Sequence, residues 1–250
     1  MSGHSKWSTI KHKKAKTDEK KGKEYTRLAK EIIIAARSGG GDPESNSKLK
    51  LAVQNAKAVN MPNENIARAI KKGTGEVESD MIEELTYEGY APGGVAVMLA
   101  IATDNRNRTA SDIRHLFSKH GGNLGETGCV GYMFERVGSL TVNRENLKVD
   151  VEEFMLQAIE AGADDVKEDD DEIEVITSPE NFMAVKDALE KEVAFEEADI
   201  VMLPSNTVDI TDEVMAAKVL KLIDVLEDHD DVQNVYANFS IPDEILEKLM

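Results

Sequence analysis

Between residues 6 and 27 the chain sets lysine after lysine beside two rings that can stack. Lys11, Lys13, Lys14, Lys16, Lys20, Lys21 and Lys23 follow one another closely, with Lys6 ahead of them and Arg27 one helical turn behind. Ammonium groups at this density neutralise phosphates and release condensed counterions, which gives affinity for DNA or RNA without reading sequence. Trp7 and His12 lie among these charges. An aromatic face beside a cationic track suits the unstacked bases of single-stranded or structured RNA better than a duplex. A solubilising tail needs neither the aromatic nor so one-sided a charge. The predicted nucleic-acid-binding set is therefore Lys6, Trp7, Lys11, His12, Lys13, Lys14, Lys16, Lys20, Lys21, Lys23 and Arg27.

A second candidate is Thr103-Asp104-Asn105-Arg106-Asn107-Arg108-Thr109, where a strand gives way to a helix. Free N–H groups at a helix start attract anions, and Arg106 and Arg108 could close on one phosphate with forked hydrogen bonds. This makes Asn105, Arg106, Asn107, Arg108 and Thr109 a candidate second anion contact. The same residues also read as ordinary structure, with Asp104 and Asn105 forming a turn and Thr109 with Asp112 forming a helix cap. Both readings stand at this point.

Catalytic constellations are missing. Gly39-Gly40-Gly41 is not followed by Gly-Lys-Ser or Gly-Lys-Thr, and Gly73-Thr74-Gly75 lacks a third glycine and a preceding strand, so neither is a nucleotide loop. His4, His12, His115, His120 and His229 show no metal-ligand spacing. The run Asp169-Asp170-Asp171-Glu172 lacks the central glycine of a calcium loop and reads as a solvated hairpin. The single cysteine, Cys129, excludes a disulfide within the chain and reads as a small packed hydrophobe. Tyr132 and Phe134 sit on one face of a predicted strand, but without the basic residue of an RNA-stacking signature they read as core. No enzymatic activity, metal or cofactor is expected.

The elements that must position these residues follow from periodicity. Residues 1–16 have no helical pattern and read as a flexible basic arm. A helix begins at Thr17 and buries Tyr25, Leu28, Ala29, Ile32, Ile33 and Ala36 at helical spacing until the glycines at 39–41 stop it. A second helix over about 46–60 and a third opening at Pro62 complete a bundle, giving a helical N-terminal domain over 17–79. From residue 80 the pattern changes to a strand hairpin, a helix from Thr109 to Lys119 and a third strand at GCVGYMFE. Residues 137–204 read β-α-β-β-α-β, a ferredoxin-like split motif. Residues 205–250 supply the strand, helix and strand that 80–136 lacks. The predicted fold class is α+β with three domains: the three-helix domain and two ferredoxin-like α/β domains, one (137–204) inserted into the other (80–136 with 205–250).

The charge is as divided as the fold. The 250 residues carry a net charge of −18, yet residues 1–75 hold 17 Lys and Arg against 7 Asp and Glu, while the remainder holds 13 against 41. Such asymmetry points to nucleic-acid contact by the basic part. It also predicts that the basic segment docks on the acidic body when no ligand is bound. No stretch approaches the roughly 18 to 20 apolar residues of a membrane span, and the N-terminus opens with charge, so a cytoplasmic protein with no membrane partner is expected. A monomer is favoured, with the acidic domains turned to solvent or to basic protein.

These residues resemble the YebC family, whose mitochondrial relatives are translational activators of cytochrome c oxidase. The resemblance rests on Gly3-His4-Ser5-Lys6-Trp7, Ile10-Lys11-His12-Lys13-Lys14, Asn60-Met61-Pro62, Tyr87-Glu88-Gly89-Tyr90, the Thr103–Thr109 segment, and Gly121-Gly122 followed by Met133-Phe134. It is close over residues 2–136 and looser beyond. Lys21 stands where the family often has arginine, Tyr25 where it often has phenylalanine, and Cys129 where serine or alanine is usual. The resemblance implies a helical N-terminal domain followed by two α/β domains. It implies one of two functions: a DNA-binding transcriptional regulator, or a ribosome-associated translation factor that binds ribosomal RNA and relieves stalling at proline-rich stretches. Neither requires catalysis.

Overall fold

The computed structural model describes residues 18–78, 81–169 and 171–249. Met133–Ser205 forms one compact unit, and the chain before and after it forms the other.

The larger unit begins with three helices, α1 (Asp18–Gly39), α2 (Ser47–Ala58) and α3 (Asn63–Thr74). Their apolar faces meet in a core of Leu28, Ile32, Ile33, Leu49, Ala52, Ala56, Ile66 and Ala69, to which Tyr25, Ala29 and Val59 add partly buried surface. The turns between helices are set by two asparagines. Asn46 caps α2 by accepting from the Leu49 amide at 3.1 Å, and its own amide donates to the carbonyls of Ala35 and Gly40 at 2.8 and 2.9 Å. One side chain thus satisfies orphan groups at the end of α1 and the start of α2. Asn60 takes a left-handed φ of 61° and its carbonyl accepts from the Tyr25 hydroxyl at 2.9 Å. That turn buries Met61 and brings Pro62 to the N-cap of α3. The Asn60-Met61-Pro62 motif is therefore a helix-to-helix corner.

The α/β part of this unit holds β1 (Glu83–Tyr90), β2 (Ala96–Thr103), α4 (Arg106–Lys119) and β3 (Asn123–Leu124) before residues 133–205, with β8 (Val208–Asp209), α7 (Glu213–Glu227), β9 (Val232–Ala237), β10 (Phe239–Ser240) and α8 (Asp243–Leu249) after them. Its sheet runs β3-β1-β2-β9, with every neighbouring pair antiparallel and β9 spanning Val232–Ala237. β2 and β3 are joined through α4 with β1 between them, a split β-α-β crossover. α4 and α7 (Glu213–Glu227) supply Ile113, Phe117, Val219, Leu222, Ile223 and Leu226 to a core with Leu99, Ile101 and Val235. A short parallel pair, β8 (Val208–Asp209) with β10 (Phe239–Ser240), and the terminal helix α8 (Asp243–Leu249) complete the unit.

The smaller unit runs β4 (Phe134–Asn143), α5 (Val151–Glu160), β5 (Asp165–Glu168), β6 (Glu172–Thr177), α6 (Phe182–Leu189) and β7 (Glu197–Pro204). Its sheet order is β5-β6-β4-β7, antiparallel throughout, which is the ferredoxin-like arrangement of the β-α-β-β-α-β pattern. Leu140, Val142, Phe154, Ala158, Ile173, Val175, Phe182 and Val185 are buried.

Two local expectations are corrected. The strand predicted at GCVGYMFE does not form there. The short edge strand pairing with β1 is Asn123–Leu124, and β4 starts only at Phe134, so Tyr132, read as core beside Phe134, precedes the strand and is 75% exposed. The intervening backbone turns inward, with Gly128 at φ 91°, because its amides are claimed by a carboxylate rather than a neighbouring strand. Glu88 accepts from the amides of Gly128, Val130 and Gly131 at 2.8, 2.8 and 2.7 Å. Helix α4, predicted from Thr109, opens one turn earlier at Arg106, because Asn105 is the cap and accepts from the Arg108 amide at 3.1 Å.

Candidate nucleic-acid interface

Of the predicted basic set, Lys6, Trp7, Lys11, His12, Lys13, Lys14 and Lys16 lie outside the described residues. Lys20 and Lys21 fall within the first turn of α1, and their side chains are likewise outside what is described. Lys23 and Arg27 are described, and with Lys30 they recur at i, i+4 and i+7, one stripe of α1. This stripe meets the segment between α7 and β9, which carries Asp228, Asp230 and Asp231 in four residues.

The contacts tighten along the stripe. Lys23 donates to the Asp228 carbonyl at 3.2 Å and lies 3.6 Å from its carboxylate, with both side chains well exposed. Arg27 donates to the Gln233 carbonyl at 3.2 Å. Lys30 uses all three donors, on Asp231 Oδ1 at 2.9 Å, the Asp230 carbonyl at 2.8 Å and the Ala102 carbonyl at 3.1 Å. The docking of basic on acidic segments predicted from the charge division takes this form for α1.

Asp231 is the hub. Its side chain is only 7% exposed, and besides Lys30 it takes hydrogen bonds from Arg108 at 3.0 Å and from the Thr109 hydroxyl at 2.7 Å, both on Oδ2. Thr103 Oγ1 stands 2.8 Å from Thr109 Oγ1 and accepts the Asn105 amide at 2.9 Å. Burial alone would raise the Asp231 pKa. The bonds from Lys30, Thr109 and Arg108 outweigh it and hold the carboxyl well below the usual carboxylate range. The next residues but one are also tied, since the Asp231 amide donates to Nδ1 of His229 at 3.1 Å.

Part of the Thr103–Thr109 segment is tied into this network. Asn105 caps α4, Thr109 is buried against Asp231, and Arg108 bridges Asp231 and Asp104, the latter at 2.8 Å. The two carboxylates raise the Arg108 pKa, Asp231 foremost. Arg106 and Asn107 are exposed, and the Arg106 carbonyl accepts from the Tyr87 hydroxyl at 3.3 Å. The structure joins Arg108 and Thr109 to Lys30 through one carboxylate.

An open cleft of about 690 Å³ lies along this junction. The helical bundle contributes Lys23, Lys30 and Lys72 to it, and the α/β part contributes Asp104, Asp112 and Asp228. On the bundle surface Lys48, Lys57, Arg68 and Lys71 are exposed and have no acidic partner among the described residues. Sequence reasoning missed Lys30, Lys72, Asp228 and Asp231. Lys30 alone carried a signal, its i+7 spacing from Lys23. Among the described residues no cluster of His, Cys, Asp and Glu is placed to hold a metal ion, and no helix is long and apolar enough to cross a membrane.

Comparison with known proteins places this geometry. Residues 5–76 match the family model described as the TACO1/YebC protein N-terminal domain, and residues 82–239 match that of the TACO1/YebC second and third domain. A protein of Syntrophomonas wolfei named probable transcriptional regulatory protein is 69% identical over 251 residues, covering 100% of both chains. A namesake in Syntrophobacter fumaroxidans is 59% identical over 250 residues, again covering 100% of both. The crystal structure of a conserved hypothetical protein from Aquifex aeolicus superposes with a TM-score of 0.84 at 54% identity, covering 93% of this chain and 96% of that one.

Proposed function

The chain belongs to the TACO1/YebC family, and from that premise we propose that it is a cytoplasmic regulator of gene expression that binds nucleic acid through its basic N-terminal part. The observation that carries this reading is the charge division, 17 basic against 7 acidic side chains in residues 1–75 of a chain whose net charge is −18. A polyanion approaching the molecule is repelled by the acidic domains and drawn to the basic N-terminal part, which orients the encounter. In the DNA reading, which follows the names of the relatives, the lysines of the arm and the bundle hold the backbone of a duplex. A second reading, a translation factor on ribosomal RNA, is favoured by Trp7 and His12 set among the lysines, because stacking rewards bases that are already exposed. In both readings the protein works without cofactor or catalysis, as a monomer, with its acidic domains toward solvent or basic ribosomal protein.

The test is sedimentation of the purified protein with ribosomes, beside salt-dependent binding to random and genomic duplex DNA, each repeated with Lys11, Lys13 and Lys14 replaced by alanine. Lysine-dependent co-sedimentation with weak, sequence-blind DNA binding establishes the translation reading. Tight binding to particular promoters without ribosome association establishes the transcriptional one. Retention of all binding in the triple variant removes Lys11, Lys13 and Lys14 from the function.

A further inference from the structure

We propose that the Lys23–Arg27 end of α1 is a second phosphate-contact row, held shut by the segment Asp228–Gln233, which occupies its donors as a nucleic-acid backbone would. This rests on the nucleic-acid reading above and deepens it. The segment offers Lys23 a carbonyl and a carboxylate and offers Arg27 a carbonyl. Anionic or partly negative oxygens presented in succession to a helical row of cations are the features a phosphate backbone shares.

Two features mark this end as the one that opens. The Lys23–Asp228 pair is 3.6 Å long with side chains 47% and 70% exposed, so salt screens it and it contributes little. The Arg27–Gln233 contact is incompletely satisfied. Gln233 is only 7% exposed, yet among the described residues neither atom of its side-chain amide has a hydrogen-bond partner, and the buried Nε of Arg27 has none either. Burying donors and acceptors unpaired opposes closure, and a phosphate would take both arms of the guanidinium fork. By contrast Lys30, with three hydrogen bonds around Asp231 and its neighbours, stays closed and serves as the pivot.

Further cations stand beside this row. Lys72 lines the same cleft as Lys23. Arg68 stands one turn before Lys72 on α3, exposed and unpaired among the described residues. Withdrawing Asp228 and Asp230 removes two of the four exposed acids that line this cleft, leaving Asp104 and Asp112.

The experiment neutralises those two acids with Asp228→Asn and Asp230→Asn, both exposed. A control of equal charge change uses Glu244→Gln and Glu247→Gln on α8, also exposed. Binding to a single-stranded RNA and to a duplex DNA, each of roughly 20 nucleotides or base pairs, is followed by fluorescence anisotropy across about 50 to 200 mM salt. The aspartate variant is expected to bind about three- to tenfold more tightly than the control. Its dependence on log salt should steepen by about one to two, since each phosphate contact adds about 0.9. Adding Lys23→Ala and Arg27→Ala to the aspartate variant should abolish the gain. A gain no larger than the control's, or one that survives loss of Lys23 and Arg27, overturns the proposal. Binding that depends on Lys11, Lys13 and Lys14 but is indifferent to Asp228 overturns it while leaving the nucleic-acid function standing. No binding of either probe by the unaltered protein overturns both.

Discussion

The ammonium of Lys30 and the carboxylate of Asp231, 201 residues apart in the chain, lie 2.9 Å apart with the carboxylate almost wholly buried. The pair joins the helical bundle to the far end of the α/β sheet, and Arg108 and Thr109 join the start of α4 to the same group. One carboxylate therefore organises three elements that are remote in sequence.

Removing that carboxylate should cost more than removing either cation. Asp231→Ala removes the shared acceptor of Lys30, Arg108 and Thr109 at once, leaving Lys30 only the Ala102 and Asp230 carbonyls, and breaking a buried pair from one side costs about 3 to 5 kcal/mol. Lys30→Met leaves Asp231 still bonded to Arg108 and Thr109 and is expected to cost about half as much or less. In the double variant the two losses should not add, because the second removes a partner already lost. Urea unfolding midpoints of the three proteins measure this. Equal losses for the two single variants would mean that Asp231 is not the hub.

The pH dependence of stability follows from the same group. The folded-state pKa of Asp231 is depressed below its value in the unfolded chain, about 3.9. A depressed carboxyl contributes stability that is fully present above the unfolded pKa and is lost as pH falls through the folded one. Stability should be flat around neutrality and fall below about pH 4. Asp231→Asn cannot titrate, so its deficit relative to the unaltered protein should shrink as pH is lowered from about 7 toward 3. A deficit that stays constant over that interval would assign the acid sensitivity to other groups. Glu88 acts in the same direction: burial opposes its ionisation, but the amides of Gly128, Val130 and Gly131 lower its pKa.

How much of this was legible in the sequence divides by distance along the chain. The apolar face of α1, from Tyr25 to Ala36, follows from local periodicity, and those residues do line the bundle core. The β-α-β-β-α-β order of the smaller unit is likewise local, and its sheet order follows from it. What failed was local reading where a remote partner decides. In the Thr103–Thr109 segment local reading made Thr109 with Asp112 the cap and Asn105 a turn former. Asp231, over a hundred positions on, claims the Thr109 hydroxyl and leaves Asn105 to cap. GCVGYMFE carries the apolar and aromatic residues of a strand, but Glu88, about forty positions earlier, takes the amides that pairing would need. The charge division forecast that basic and acidic parts attract. It could not say that Lys30 and Asp231 would be the pair.

Two glycines of the bundle should respond oppositely to alanine. At Gly73 a Cβ would meet the Ala36 Cβ and the Ile33 carbonyl oxygen, both at 2.6 Å, where α3 crosses α1. Neither α1 atom can yield without moving the helix, so Gly73→Ala should destabilise by about 1 to 3 kcal/mol. At Gly22, inside α1, a Cβ would meet nothing within 4 Å. There the substitution restricts the unfolded backbone without a clash and should stabilise by about 0.5 to 1 kcal/mol. Thermal unfolding of the two variants decides the matter, and equal signs would contradict the close crossing of α3 on α1.

Glu88 offers the sharpest test of how the Tyr87-Glu88-Gly89-Tyr90 motif works. Its carboxylate is 5% exposed and receives three backbone amides from Gly128–Gly131, while the Tyr90 hydroxyl donates to the Cys129 carbonyl at 3.1 Å. Two residues of β1, alternate along the strand and so on one face, therefore hold one loop, Glu88 by accepting and Tyr90 by donating. Charge-assisted bonds of this kind contribute about 1.5 to 3 kcal/mol each, and buried amides left unpaired add their own penalty. Glu88→Gln keeps the shape but not the charge, and its amide nitrogen can only donate, so it cannot accept from all three. Hydrogen exchange at Gly128, Val130 and Gly131 should accelerate by about tenfold or more in that variant, one factor of ten for each 1.4 kcal/mol lost from loop opening. Exchange in α1 and α2 should not change, because no bond of Glu88 reaches them. Tyr90→Phe removes only the single bond to Cys129 and should have a smaller effect on the same amides. If Glu88→Gln leaves their exchange unaltered, the loop is held by its apolar anchor Val130 rather than by the carboxylate.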